Sequence, residues 1–351
     1  MLFEDANIAA ARNIGVAQAA GDIVAFIDDD AVPEPGWLQH LVGAFDDQKV
    51  AASGGYVLGK NGISLQFCGQ VVDRSGFTAP LAHPTDLPVV YDAMPDRAIK
   101  TIGTNCAFRR NVFSDLSGFH PAFAFYLDET EFNMRLAKAG MKTAIVPLAQ
   151  VHHSNAASER RFAGGCPKDL SKIGASVVAF LRIHAPDADH EAHIAARHSR
   201  QINRLLRFMV TGACEPRDVG RLMQTFENGV KRGKAMQIGP PPQIEFSRQR
   251  FVNFSTDNTG AQHCIVAGYR VNTSGLRRQA RAKVRKGGIV SLYLFSRTAL
   301  FHRVRFHRDG YWQQIGGLFG RARRSEPIFG LTSLASRIQR EDARVAAVRH
   351  P

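Results

Sequence analysis

Three groups of side chains in this sequence are of types that could do chemistry. The first is Asp28-Asp29-Asp30, which directly follows the apolar run Ile23 to Ile27. Residues separated by one other on an extended segment point the same way, so Asp28 and Asp30 could share a target. A hard divalent cation that also binds phosphate oxygens suits such a pair of carboxylates. The same residues could instead form an acidic turn whose side chains make Asx-turns and cap the following helix. The second group is Asp128-Glu129, at the head of "LDETEFNMRLAKAG". It reads either as helix capping or as a general base, since a hydroxyl is a poor nucleophile until a positioned carboxylate takes its proton. The third is His152-His153, which could be hydrogen-bonded structural residues. An imidazole there could also complete a metal shell, and nitrogen ligation would favour Mn²⁺ somewhat over Mg²⁺.

These groups need elements to hold them. Residues 7–20 read as an Ala-rich helix closed by Gly21 as C-cap. Residues 23–27 have the pattern of a strand buried on both faces of a parallel sheet. A helix over 36–46 and a strand over 50–58 follow, then 60–100 as loops with short strands. A helical turn or two is expected within 110–116, a better helix over 127–140, and one or two short strands in 142–153. Asp128, Glu129 and Glu131 in the first turn of the 127–140 helix suit its dipole. Alternating helix and strand is the α/β pattern, in which ligands bind outside the carboxyl ends of the strands. Asp28 to Asp30 stand at such an end.

Past residue 155 the character changes. Residues 168–235 look helical and include the basic amphipathic "RQINRLLRFMV" at 200–210. Pro240, Pro241 and Pro242 then punctuate the chain. Beyond them come the basic "LRRQARAKVRKGG" (276–288), a β-like run at 289–295, and "GYWQQIGGLFGRARR" (310–324), expected to be an ordered loop or interface.

The 351 residues, 44% of them hydrophobic, allow two domains or one elaborated domain. No apolar run approaches the ~18–20 residues that span a bilayer, and the first residues lack the basic-then-apolar order of a signal peptide. The five cysteines are scattered and never spaced as CxxC, so reduced thiols in a cytoplasmic protein are expected. Residues 1–150 hold 11 Lys+Arg against 17 Asp+Glu, a net of −6, whereas 151–351 hold 34 against 14, a net of +20. The basic half admits three readings: a solvated helical surface, peripheral contact with an anionic membrane through 276–288, or nucleic-acid binding. The last is not expected, because no nucleic-acid-binding motif organises the basic and aromatic residues.

Taken in order, "ANIAAARNIGVAQAAGDIVAFIDDDAVPEPGW", "GTNCAFRRNVFSDLSGFHPAFAFYLDETEFNMRL" and "VPLAQVHHSNAAS" resemble the family 2 glycosyltransferases of the GT-A fold, over roughly residues 5–158. The resemblance implies a nucleotide-sugar donor, a saccharide or lipid-linked acceptor, a divalent metal (Mn²⁺ or Mg²⁺), and inverting displacement at the anomeric carbon in cell-surface polysaccharide or glycolipid synthesis. It implies Asp28 and Asp30 with His153 for the metal, and Asn7, Arg12, Asn13, Asp28 and Asp29 for the nucleotide. Counting back from Arg135 makes Glu129 the base, with Asp128 beside it, where the family usually has aspartate. Gly103, Thr104 and Asn105 would face the acceptor.

Family members carry a further strand, helix and strand ahead of the first helix seen here. On that basis some 60–80 residues of nucleotide-binding half (roughly two βαβ-sized units) are expected to be missing, leaving a chain of weak stability or activity by itself. The expected layout is a partial GT-A domain over 1–158, a helical region over 159–239, and a basic α+β region over 240–351. A non-catalytic scaffold acting through the basic half is the competing reading.

Overall fold

The computed structural model describes residues 5–81, 86–153, 160–162, 164–254 and 261–350. Helix α1 (Ile8–Gln18) begins where Asn7, in extended backbone, accepts a hydrogen bond from the Ala10 amide, satisfying one of the free N–H groups of the first turn. It ends at Gln18, three residues short of Gly21. Tertiary partners replace the expected glycine cap: Ser247 N donates to Ala17 O, and the Arg110 guanidinium donates to Ala19 O.

The remaining elements of the first half are β1 (Ile23–Ile27), β2 (Ala31–Pro33), α2 (Trp37–Gly43), β3 (Val50–Leu58), β4 (Leu65–Phe67), β5 (Gln70–Asp73), β6 (Thr78–Pro80), β7 (Val89–Tyr91), β8 (Arg97–Lys100), β9 (Asn105–Arg109), α3 (Arg110–Asp115), α4 (Asp128–Lys138) and β10 (Lys142–His153). The expected α/β class is borne out. The main sheet runs β1-β9-β3-β10-β2, with β4 on β3 and β7 on β10. Only β3 and β10 pair in parallel, so the sheet is mixed rather than mostly parallel. Among the described residues β1 has β9 as its one sheet neighbour and is half-buried along its length, not enclosed on both faces. β3, its Gly54-Gly55 pair included, is buried from end to end. β10 is one strand whose register slips between Val146 and Gln150, around Pro147, which cannot donate to a ladder.

Phenylalanines fill the space between this sheet and its helices. Phe26, Phe108, Phe113, Phe119 and Phe132 touch ring to ring, Phe113 and Phe132 stacked at 5.0 Å between centroids. Ile244 and Phe246 pack onto the same cluster, so the chain beyond the triple proline returns to α1 and α3.

Helices α5 (Ser171–His184), α6 (His190–Val210) and α7 (Pro216–Ala235) bury Leu181, Leu205, Leu222 and Phe226 among themselves. The last part is β11 (His263–Tyr269), α8 (Thr273–Val284), β12 (Ile289–Ser296), β13 (Arg303–His307), β14 (Tyr311–Gly317) and α9 (Leu334–Arg349). Its sheet runs β11-β12-β14-β13, the first three strands parallel. The aromatic and glycine-rich stretch expected as a loop or interface is thus an inner strand. It is also an interface, because Trp312 packs on His152 of β10 at 4.3 Å between ring centroids.

Candidate active site

Strand pairing brings the three reactive groups together. β1 ends at Ile27 opposite Asn105, the first residue of β9, so Asp28 emerges beside Thr104. The hydroxyl of Thr104 donates to Asp28 Oδ2 at 2.6 Å. The chain then turns and returns as β2, whose Ala31 pairs with His153. That return sets Asp30 against the last residue of β10: His153 Nε2 lies 3.0 Å from Asp30 Oδ1 and 3.9 Å from Asp28 Oδ2. Gln66 Nε2 sits 3.3 Å from His153 Nδ1, which leaves Nε2 to the carboxylates. One ligand atom each from Asp28, Asp30 and His153 falls within 4.8 Å of the others. Two hard oxygens and one imidazole nitrogen on such a cradle fit a divalent cation of the Mn²⁺ or Mg²⁺ kind.

The acidic pair reaches the same cavity, of about 480 Å³, from α4. Leu127, just ahead of the helix, has φ 68°, a left-handed backbone that is costly for a branched side chain and tends to be kept where a site needs it. Asp128 is ion-paired with Arg12, and Glu129 Oε1 lies 3.6 Å from Lys100 Nζ. Arg12 is itself held between the Phe26 and Phe119 rings, at 5.6 and 5.7 Å from their centroids. A β-carbon at Gly103 would meet the Arg12 guanidinium, so a larger residue there would displace Arg12 from its place beside Asp128.

The two acids titrate as a pair in opposite directions. Burial, then the charge of Glu129, raise the Asp128 pKa to about 7 against the pull of Arg12. Burial also works against the Glu129 anion, but Lys100 and Arg12 outweigh it and hold its pKa below the ordinary value. Near neutrality the pair keeps one proton, mainly on Asp128, and Glu129 is the anionic member.

Of the residues singled out in the sequence, Arg12, Asp28, Gly103, Thr104, Asp128, Glu129 and His153 line the cavity, and Asp30 is joined to it through His153. The others lie elsewhere. Asp29 is exposed and outside the lining. Asn7 caps α1 and donates to Pro121 O, and Asn13 exchanges two hydrogen bonds with the Phe119 backbone. Asn105 is buried, donating to Tyr56 O and Ala149 O and accepting from the Trp37 indole. Asn7 and Asn13 brace the segment around residues 119–121, and Asn105 ties β9 to β3, β10 and α2.

Several lining residues escaped the sequence reading. Arg160 and Arg161 come from the stretch after β10, and Arg204 and Phe208 from α6, while Lys100 of β8 stands behind the lining against Glu129. Arg161 Nη2 lies 3.3 Å from Asp30 Oδ2. The basic amphipathic stretch 200–210 carried a signal for Arg204 and Phe208. His152, next in the strand to His153, faces the other way: its Nε2 meets Glu34 Oε1 at 2.8 Å, in a network closed by Arg349.

Residues 3–116 match the family model described as glycosyl transferase family 2. The chain is 28% identical over 160 residues to an O-antigen biosynthesis protein RfbC of Myxococcus xanthus, covering 44% of this chain and 12% of that protein. It is 31% identical over 153 residues to the pre-mycofactocin glycosyltransferase of Mycobacterium tuberculosis, covering 42% of this chain and 30% of the relative. A glucosyl-dolichyl phosphate glucuronosyltransferase of Haloferax volcanii matches at 27% identity over 123 residues, 33% of this chain and 35% of that one. The chain thus spans about a third or less of the length of these relatives. Among solved structures, GalNAc-T7 with UDP, GalNAc and Mn²⁺ aligns at 16% identity and a TM-score of 0.39, over 68% of this chain and 45% of that one. At that score the likeness supports no conclusion about fold or site.

Proposed function

We propose that this chain transfers a sugar from a nucleotide-sugar donor to an acceptor hydroxyl, by a metal-assisted displacement that inverts the anomeric centre. The observation that carries the reading is the convergence of Asp28, Asp30 and His153 with an anionic Glu129 on one cavity. In this reading Asp28, Asp30 and His153 hold the divalent ion, which when bound would offset the charge of the departing nucleoside diphosphate. Thr104 fixes the Asp28 carboxylate, and Arg12 fixes Asp128. Glu129 accepts the proton of the attacking hydroxyl. Arg12, Lys60, Arg160 and Arg204 line the walls and offer charge to the diphosphate. The nucleotide role of Asn7 and Asn13 and the acceptor role of Asn105 become positioning roles, while Gly103 and Thr104 stay at the acceptor side.

The relatives named for O-antigen synthesis and for a dolichyl phosphate-linked sugar favour a saccharide or lipid-linked acceptor. Among the described residues no helix is long and apolar enough to cross a membrane. Arg278, Lys283, Arg285 and Lys286 are exposed on and just after α8, so peripheral contact with an anionic inner leaflet is part of the proposal, with a cytoplasmic location. Calorimetric titration of UDP- and GDP-sugars in the presence of Mn²⁺ tests it. At least one donor should bind, and Asp30→Asn should weaken the Mn²⁺ dependence of that binding. Failure of every donor to bind with Mn²⁺ present would leave the non-catalytic scaffold as the better reading.

A further inference from the structure

A second group of metal-ligating side chains lies outside the cavity lining, where α9 ends against the first residue of β11. Asp342 Oδ1 is 3.5 Å from His263 Nδ1 and 3.7 Å from His350 Nε2, and the two imidazole rings stand 4.4 Å apart between centroids. The three ligand atoms fall within 4.8 Å of one another. Asp342 Oδ1 is buried and accepts no hydrogen bond, although two imidazoles face it. His263 Nε2 meets Ser291 Oγ at 2.8 Å, and Ser291 Oγ also accepts from Arg349 Nη1 at 2.9 Å. With the ring proton directed at the serine, the Nδ1 lone pair points at the carboxylate.

We propose that His263, Asp342 and His350 form a second metal site, selective for a borderline transition ion such as Zn²⁺, that ties the end of α9 to the edge of the second sheet. Two nitrogens and one carboxylate oxygen are a zinc-type donor set rather than a magnesium one. Ligand bonds of ~2.0–2.2 Å place tetrahedral ligand atoms about 3.3 Å apart, so each histidine has to close on Asp342 Oδ1 by only a few tenths of an ångström. His350 is the exposed member, with 46% of its side chain accessible, while His263 shows 3%. The fourth position therefore opens toward water on the His350 side. The ion would clamp the residue next to Arg349, whose guanidinium reaches Glu34 and, through it, His152.

The test uses the full chain stripped with chelator and titrated with Zn²⁺, then with Co²⁺ as a spectroscopic probe. His350→Ala is the main variant because the side chain is half-exposed and its loss should not prevent folding; His153→Ala controls for the cavity. The wild type and His153→Ala should show the visible absorption of low-coordinate Co²⁺ and a rise in Tm with Zn²⁺. His350→Ala should lose both and bind one equivalent of Zn²⁺ fewer than the wild type, and Asp342→Asn should behave like it. Any rise in Tm with Mg²⁺ should be the same in the wild type and His350→Ala. Equal Zn²⁺ stoichiometry in wild type and His350→Ala, or a Co²⁺ spectrum that disappears only in His153→Ala, would overturn the proposal and leave an ordinary polar cluster. Neither result bears on whether the cavity transfers sugars.

Discussion

Asp128 and Glu129 are chain neighbours of the same chemical kind, and their surroundings drive them apart. Glu129 faces Lys100 and keeps its charge, while Asp128, buried and beside that charge, holds the shared proton up to about pH 7 despite Arg12. If Glu129 is the base, Glu129→Gln should cost about 10²–10⁴-fold in turnover, the usual worth of a positioned general base, with donor binding by calorimetry little changed. Asp128→Asn should leave turnover well above that of Glu129→Gln. In a kcat/KM–pH profile it should also erase the inflection near pH 7 that belongs to the coupled pair. Retention of the inflection in Asp128→Asn would assign that proton elsewhere.

At the scale of elements, the site depends on how strands and helices seat. The turn from Asp28 to Asp30 reaches His153 only because β2 pairs antiparallel with β10 in one register, and a one-residue slip would turn His153 away and bring His152 in. The helices are set as tightly. α5 and α7 cross where a β-carbon on Gly229 would collide with the Ser171 carbonyl. Gly229→Ala should therefore force the helices apart, costing about 1–3 kcal/mol as overpacking does, read as a lower midpoint in urea. Because α6 packs with this pair and carries Arg204 and Phe208 into the cavity, the variant should weaken donor binding as well. Arg204→Ala should weaken donor binding without moving the urea midpoint appreciably. The helical region expected as a separate block from residue 159 thus supplies a wall of the cavity.

At the scale of the whole molecule, the second sheet and α9 are joined to the first sheet through a buried ionic contact. Arg349 donates to both Glu34 oxygens, at 2.8 and 2.7 Å, and lies over the Trp312 ring at 4.7 Å. Burial works against the Glu34 anion, but Arg349, with help from His152, brings its pKa down to about 2 from 4.5. A carboxyl that binds its proton more weakly when folded adds stability above its unfolded value, and that stability drains as pH falls from 4.5 toward 2. Removing one partner of such a pair leaves a charge buried alone. Arg349→Met should destabilise the chain by about 3–5 kcal/mol in chemical denaturation at pH 7. Adding Glu34→Gln should recover much of that loss and flatten the acid limb between pH 4.5 and 2. A double variant as unstable as the single one would mean that shape, not charge, is what Arg349 supplies.

Much of this was legible in the sequence because it is local. The helix over α1, the strand over β3, the acidic first turn of α4 and the order of the three reactive groups follow from neighbours within a few residues, where periodicity and side-chain chemistry act directly. The sequence by itself thus determined the α/β class and drew attention to Asp28, Asp30, Glu129 and His153. Partners set by long-range contact were out of reach. Which sheet edge β1 occupies, which of His152 and His153 faces the cavity, and that Asn7 and Asn13 hold the 119–121 segment while Asn105 ties strands together were fixed only by register and packing between segments distant in the sequence. The same holds for Lys100 beside Glu129, Arg349 on Glu34, and His263 with Asp342 and His350. Each such pairing joins residues whose local sequence carries no trace of the other, so it exists only once the sheets and helices have closed around them.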